Sequence, residues 1–393
     1  MSRTPEVLVI GGGVIGLSIA RRLASSGRRV TLIEKGRCGS EASWAGAGVL
    51  TPCNPHRHDG VAALRDESLA IYPKFCRQLH EESGIDPEFD PCGEIDLALD
   101  ESSHRSLRLD VEAGANQRLP DGSDAYVYLN PQETRRIEPA ATGEILGSMH
   151  CRRTAQVRNP RLLAALQRSC GRLHVEIRQG VEVHGFMEKS GRVHGVKTSQ
   201  GAVDAAITIL CAGAWSSSFD GQLHDVMPVI PVRGQMILLK FEERPFRHVI
   251  ARGKTYLVPR RDGHVLLGAT EEPGAGYVKR TTAAGISGLI AKGMKLIPAI
   301  GEAPVVATWA GLRPGTPDEN PYLGPVPGFE GLIAATGHFR SGLILAPVTA
   351  EVITAFVEGR SPEHDVHDCR PGRSRGVAFN AAVAPMTGGA GIP

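Results

Sequence analysis

Residues 7–16 read Val-Leu-Val-Ile-Gly-Gly-Gly-Val-Ile-Gly, and this stretch constrains the fold more than any other part of the chain. Four apolar residues predict a short strand buried on both faces. Gly11, Gly13 and Gly16 then match G-x-G-x-x-G. A segment follows with Ile15, Ile19 and Leu23 on one side and Arg21, Arg22 and Ser25 on the other, which predicts an amphipathic helix. The first glycine permits a tight strand-to-helix turn, the second a close approach of pyrophosphate, and the third close packing of helix on strand. A helix start of this kind offers free N–H groups and a positive dipole end to phosphates. Gly27 ends the helix, and Arg29 to Ile33 predicts a second strand, which delivers Glu34 eighteen residues past Gly16. A carboxylate there can bond the hydroxyls of an adenosine ribose. G-x-G-x-x-G alone is weak evidence. Between two apolar strands, with an acid at this distance, it predicts a dinucleotide site.

The 393 residues are 41% hydrophobic, enough for a sizeable core and two structural units. A net charge of +2 gives no reason to expect nucleic acid or an anionic membrane as partner. No apolar run approaches the roughly eighteen residues of a membrane span, and the first strand begins almost at once with no leader pattern before it. A cytoplasmic location is therefore expected. The eight cysteines form no C-x-x-C pair, so they are read as reduced and structural. His56-Arg57-His58 is read as a solvated loop, and no metal site is expected.

After Glu34 the chain runs through Gly39, Ser40, Ala42, Ser43, Ala45, Gly46, Ala47, Gly48 and Val49. Small residues let backbone pass close to a large flat ligand and offer it N–H groups. Two later segments, Ala205 to Trp215 and Gly331 to Gly342, predict further buried strands, the second leading into an apolar helix over 343–357. The nucleotide-binding unit is thus assembled from separated pieces: 1–85, 150–225 and 305–370. The remainder, 86–149 and 226–304, carries strand signals at 229–232 and 235–239, and a hairpin at 256–267 turning at Asp262-Gly263. From about 371 the Ala/Gly/Pro-rich chain predicts a disordered tail, 371–393. The expected fold class is α/β (α+β overall), a Rossmann-like domain built from discontinuous segments beside an antiparallel-sheet substrate domain.

Five stretches carry a resemblance over residues 5–365: Gly11 to Glu34, Ser43 to Val49, Tyr256-Leu-Val-Pro-Arg260, Trp309 to Pro317 and Gly337 to Pro347. With them the chain resembles the D-amino-acid oxidase superfamily of FAD enzymes, and within it the glycine oxidases of the thiamine pathway. The resemblance implies FAD contacts from Gly11, Gly13, Val14, Ile15, Gly16, Glu34, Lys35, Ala42, Ser43, Ala47, Gly48, Val49 and Val181. It implies further contacts from His338, Phe339, Arg340, Ser341, Gly342, Leu343 and Ile344. Relatives that attach flavin covalently use a cysteine just upstream of Thr-Pro-Asp-Glu. Trp309 to Gly315, before Thr316-Pro-Asp-Glu319, contains none, so noncovalent FAD is expected.

An oxidase of small amino acids must hold a carboxylate and aim a Cα–H bond at the flavin. The resemblance assigns the carboxylate to Arg313, whose guanidinium suits two parallel charge-assisted hydrogen bonds. Tyr256 would add a third bond, and Arg340 stands on the loop entering the last helix. Lys254 and Glu271-Glu272 depart from the glycine-oxidase pattern, where a histidine and a methionine are found, and leave the amine-side preference open. The implied activity is oxidative deamination of glycine, other small amines or D-amino acids by O2, with a D-amino-acid or sarcosine dehydrogenase and a noncatalytic FAD-binding subunit as alternatives. The sequence leaves self-association open.

Overall fold

The Val7–Ile10 strand is buried along its whole length, with Val30–Glu34 and Ile207–Leu210 parallel on either side. In this computed structural model, which describes residues 5–56, 60–219 and 221–373, the three are the centre of a six-stranded sheet. Its order is Tyr322–Pro325, Leu332–Thr336, Ile207–Leu210, Val7–Ile10, Val30–Glu34, Glu176–Gln179. All neighbours are parallel except the outer Tyr322–Pro325. The turn out of the first strand depends on glycine. Gly11 has φ +107°, and a Cβ on Gly16 would collide with the Gly11 carbonyl oxygen.

The helix that follows, Val14–Ser25, buries Leu17, Ile19 and Leu23 against helices Gly60–Ser83, Asn159–Arg172 and Gly342–Val357. Each such side chain contributes about 1.5–3 kcal/mol of burial. Arg21 departs from its expected outward place: it is only 7% exposed. Its Nε and Nη2 hold the Glu82 carboxylate at 2.7 and 2.5 Å, which compensates the desolvated charge. The opposite side of the sheet is covered by a small antiparallel sheet, Val183–Lys189, Arg192–Thr198 and Gly201–Asp204, through Val193, Val196 and Val203.

The second sheet has eight strands in the order Val305–Gly315, Ile230–Lys240, His264–Gly268, Thr255–Pro259, Val249–Arg252, Glu94–Ala98, Gly147–Cys151, Tyr126–Leu129. It contains the expected hairpin, Thr255–Pro259 with His264–Gly268. It is antiparallel throughout except where Val249–Arg252 runs parallel to Glu94–Ala98. Strand pairing crosses the expected division at two boundaries. Val305–Gly315, expected with the nucleotide unit, pairs along its length with Ile230–Lys240, where its backbone groups find their partners. Gly147–Cys151 straddles the expected boundary at 149/150 and lies wholly in this sheet.

Residues 371–373, expected in the tail, are packed: Pro371 is buried and Arg373 holds Asp318 at 2.7 and 2.8 Å. The rest of the predicted tail, 374–393, and Arg57 and His58 lie outside the described residues. Among the described residues no helix is long and apolar enough to cross a membrane.

Candidate active site

A cavity of about 1180 Å³ lies between the carboxyl ends of the six-stranded sheet and one face of the eight-stranded sheet. Parallel sheets place ligands at that edge. Gly11, Gly13, Val14, Ile15, Glu34, Lys35 and Val181 line one end. The Glu34 carboxylate is fixed there by the N–H groups of Gly12 (2.7 Å) and Gly36 (2.8 Å). Val181 donates its N–H to the Glu34 carbonyl at 3.1 Å, and Lys35 pairs with Glu182 at 2.6 Å.

The small-residue run wraps the middle of the cavity. Ser43 Oγ accepts the Val14 N–H at 2.9 Å, tying the run to the helix start. Asn159 Nδ2 donates to the carbonyls of Ser43 and Gly46, both at 2.8 Å. Arg260, nearly sealed from solvent, donates to the carbonyls of Ala47 (2.7 Å) and Val157 (2.9 Å). Burial pushes its guanidinium down to about 10. Its supporting role was not assigned from sequence, because its partners come from residues 47 and 157. Gly48 has φ +75°, and a Cβ there would overlap the Val157 carbonyl. Ala42, Ser43, Ala47, Gly48 and Val49 all face the cavity.

At the far end stand His338, Phe339, Arg340, Gly342, Leu343 and Ile344. The first N–H groups of the Gly342–Val357 helix have no intrahelical acceptor and sit at the cavity wall. Tyr72 Oη bonds the Leu343 carbonyl at 2.8 Å and Ser68 Oγ that of Ile344 at 2.5 Å, which fixes the helix start. Buried His338 shares a 3.1 Å hydrogen bond with Thr349, and burial pushes its imidazole down to about 3. Two expected contacts do not reach the cavity. Gly16 is packed on Gly11, and Ser341 is turned into the helix start, donating to the His338 carbonyl at 2.8 Å and accepting from Leu345 at 2.9 Å.

The eight-stranded sheet brings Tyr256 and Arg313 to the same cavity. Arg313 donates from Nη1 to the Thr270 carbonyl at 3.0 Å. Burial raises the Tyr256 phenol above its ordinary value, and the Arg313 guanidinium hydrogen-bonded to it opposes the rise. Arg340 lies over the Phe339 ring at 4.8 Å and pairs with Glu271, whose other oxygen takes Lys254 at 2.5 Å. Two departures from the family pattern, Lys254 and Glu271, are therefore partners. Glu272 turns away to Arg233 and Gln235.

Sequence reasoning missed Met236, whose sulfur lies 3.6 Å from Tyr256 Oη, and the carboxyls of Glu94 and Asp96. The alternation Glu94-Ile95-Asp96-Leu97 was the available signal: it marks a strand with one polar face. Among the described residues no cluster of three or more His, Cys, Asp or Glu could hold a metal ion.

A nucleotide cradle on one sheet, opening onto an arginine and a tyrosine on another, is the arrangement of a dinucleotide-dependent oxidoreductase. The chain belongs to the FAD dependent oxidoreductase (DAO) family, whose model matches residues 6–356. It is similar to the glycine oxidase of Pseudomonas aeruginosa, 39% identical over 360 residues, 91% of this chain and 96% of that protein. It is also similar to the bifunctional protein ThiO/ThiG of Trichormus variabilis, 32% identical over 90% of this chain but spanning only 53% of that protein. The solved glycine oxidase of Geobacillus kaustophilus superposes with a TM-score of 0.89 at 29% identity, over 95% of this chain and 100% of that one.

The family's FAD fits the residues present. A Cβ on Gly13 would come 3.1 Å from Ser43 Oγ and fill the cradle, while Glu34 keeps its carboxylate at the nucleotide end and two helix starts face the cavity.

Proposed function

We propose that the protein oxidises glycine, and other small amines or D-amino acids, with molecular oxygen. The balanced reaction is glycine + O2 + H2O → glyoxylate + NH3 + H2O2, through an imino acid. The observation that carries this reading is the pairing of Arg313 with Tyr256 on the cavity wall. A guanidinium has five N–H donors, and one Nη1 bond to Thr270 leaves enough for a bidentate grip on a carboxylate. Tyr256 supplies a further donor, and Arg340 adds positive charge at the mouth.

FAD would be held by the two helix starts, Glu34 and the 42–49 run, without a covalent link, since Trp309 to Gly315 holds no cysteine. When bound it supplies the hydride acceptor and passes the electrons to O2. The Gly342 helix start faces the negative charge that develops there. No side chain need act as base once the amine has lost its proton. In this reading the imine feeds thiamine thiazole synthesis, and the enzyme works in the cytoplasm. In this reading the six-stranded sheet belongs to a cofactor unit and the eight-stranded sheet, with Val305–Gly315, to a substrate unit.

The test is to mix the purified yellow protein with glycine anaerobically and then admit air. Bleaching followed by rapid recovery and peroxide is expected. Bleaching with slow recovery would mean a dehydrogenase, and no bleaching with any small amino acid would mean a noncatalytic subunit.

A further inference from the structure

The cavity extends along the eight-stranded sheet past the Arg313–Tyr256 pair. Strand register places Tyr256 opposite Ala251, Ala251 opposite Asp96, and Asp96 opposite Met149. Residues paired in this way share a sheet face, and Tyr256, Ala251, Asp96 and Met149 all line the cavity. Asp96 therefore stands in the same row as Tyr256, two strands away, a backbone separation of about 10 Å. Glu94, two residues along the same strand, faces the same way.

These two carboxyls differ in how they are satisfied. Glu94 accepts from Thr51 Oγ1 at 3.0 Å and Thr154 Oγ1 at 3.4 Å, with Arg65 near by. Asp96 makes no hydrogen bond to the described residues and stands half-buried on the cavity wall. The cation that acts on it, Arg252, is engaged with Asp100. Burial, and then Glu94 and Asp110, push the Asp96 carboxyl up to about 8. A half-buried carboxyl without a hydrogen-bond partner is poorly satisfied, and a bound cation would supply the missing partner.

We propose that Asp96 is the centre of a second subsite, one that takes the distal ammonium of a basic amino acid such as ornithine or lysine. The inference rests on Arg313 and Tyr256 holding the α-carboxylate. An extended lysine skeleton of six bonds, each about 1.5 Å, spans roughly 7–8 Å from carboxylate carbon to ammonium. That span bridges the Tyr256 and Asp96 positions once hydrogen-bond lengths are added. Glycine leaves the subsite unfilled, so the chamber accepts both a minimal substrate and an extended cationic one.

The test uses FAD-loaded enzyme and a pair of probes that cannot be oxidised, 6-aminohexanoate and hexanoate, with binding read from the flavin absorbance. The ammonium is expected to tighten binding at least tenfold, and Asp96→Asn is expected to bring the two probes to near equality. Flavin content and hexanoate affinity report whether the variant is folded. Equal binding of the two probes to the wild type would overturn the proposal. A preference that survives in Asp96→Asn would overturn it too. In parallel, both enantiomers of lysine are compared with norleucine as substrates, and lysine is expected to have the higher kcat/KM in the wild type alone. Glycine turnover is measured on the same sample. Its absence would sink the oxidase reading while the probe comparison still decides the subsite.

Discussion

The Arg313 guanidinium lies flat against the backbone of Gly234, in the space where any other residue would place its Cβ. Gly234 faces Gly311 across the strand pair, two residues from the register position of Arg313. The orientation of the arginine is thus set by a missing side chain on the neighbouring strand. Gly234→Ala should displace the guanidinium at a cost of about 1–3 kcal/mol. The KM for glycine is expected to rise roughly five- to a hundredfold with the flavin-to-protein ratio unchanged. An unaltered KM would mean that the arginine's position does not govern substrate capture.

Glu34→Gln should weaken FAD retention. The carboxylate accepts the Gly12 N–H on one oxygen and the Gly36 N–H on the other, so the amide removes the charge and one of these two anchoring bonds. A charge-assisted hydrogen bond contributes about 1.5–3 kcal/mol, or roughly ten- to a hundredfold in FAD affinity. Titration of apoprotein with FAD measures it. Turnover at saturating FAD should fall far less.

Much of the cofactor end was legible because its signals are local. Gly11, Gly13, Gly16 and Glu34 lie within one strand–helix–strand unit, and each glycine answers to a steric need within it. The substrate end depends on register between distant strands. Nothing near Asp96 in the chain says that it shares a row with Tyr256, since the two meet only through the Val249–Arg252 strand. For the same reason the pairing of Val305–Gly315 with Ile230–Lys240 was not legible in the sequence, since the two strands lie far apart in the chain. Arg21 was misplaced because helical period cannot foresee a Glu82 partner on another helix.

Acid stability should depend on His338. Burial holds this imidazole neutral, with its pKa at about 3 in the folded protein. Between the ordinary value of about 6.5 and that figure, the unfolded chain binds a proton that the folded one does not. Stability is therefore undiminished above pH ~6.5 and declines as pH falls through this window. His338→Gln should make the decline shallower, as read from urea midpoints at several pH values. His150, pushed down to about 4 mainly by burial, retains its part of the slope.

Glu271→Gln should change how the enzyme responds to salt. Burial works to raise this carboxyl, but Lys254 and Arg340 hold it below its ordinary range. Removing its charge leaves both cations uncompensated at the cavity mouth, so KM for glycine should drop a few-fold at low ionic strength. The gain should fade toward about 0.5 M salt, where screening acts within a few ångströms. A salt-independent change would point to altered packing and not to charge.

Arg313→Lys is the most direct test of the account. Lysine keeps the charge but loses the planar fork, so two parallel hydrogen bonds become one point contact. With full flavin loading, kcat/KM for glycine is predicted to fall at least about thirtyfold, a loss of about 2 kcal/mol in transition-state binding. Near-normal kcat/KM at subsaturating glycine in a fully flavinated Arg313→Lys enzyme would contradict the account, because the substrate carboxylate would then be held elsewhere.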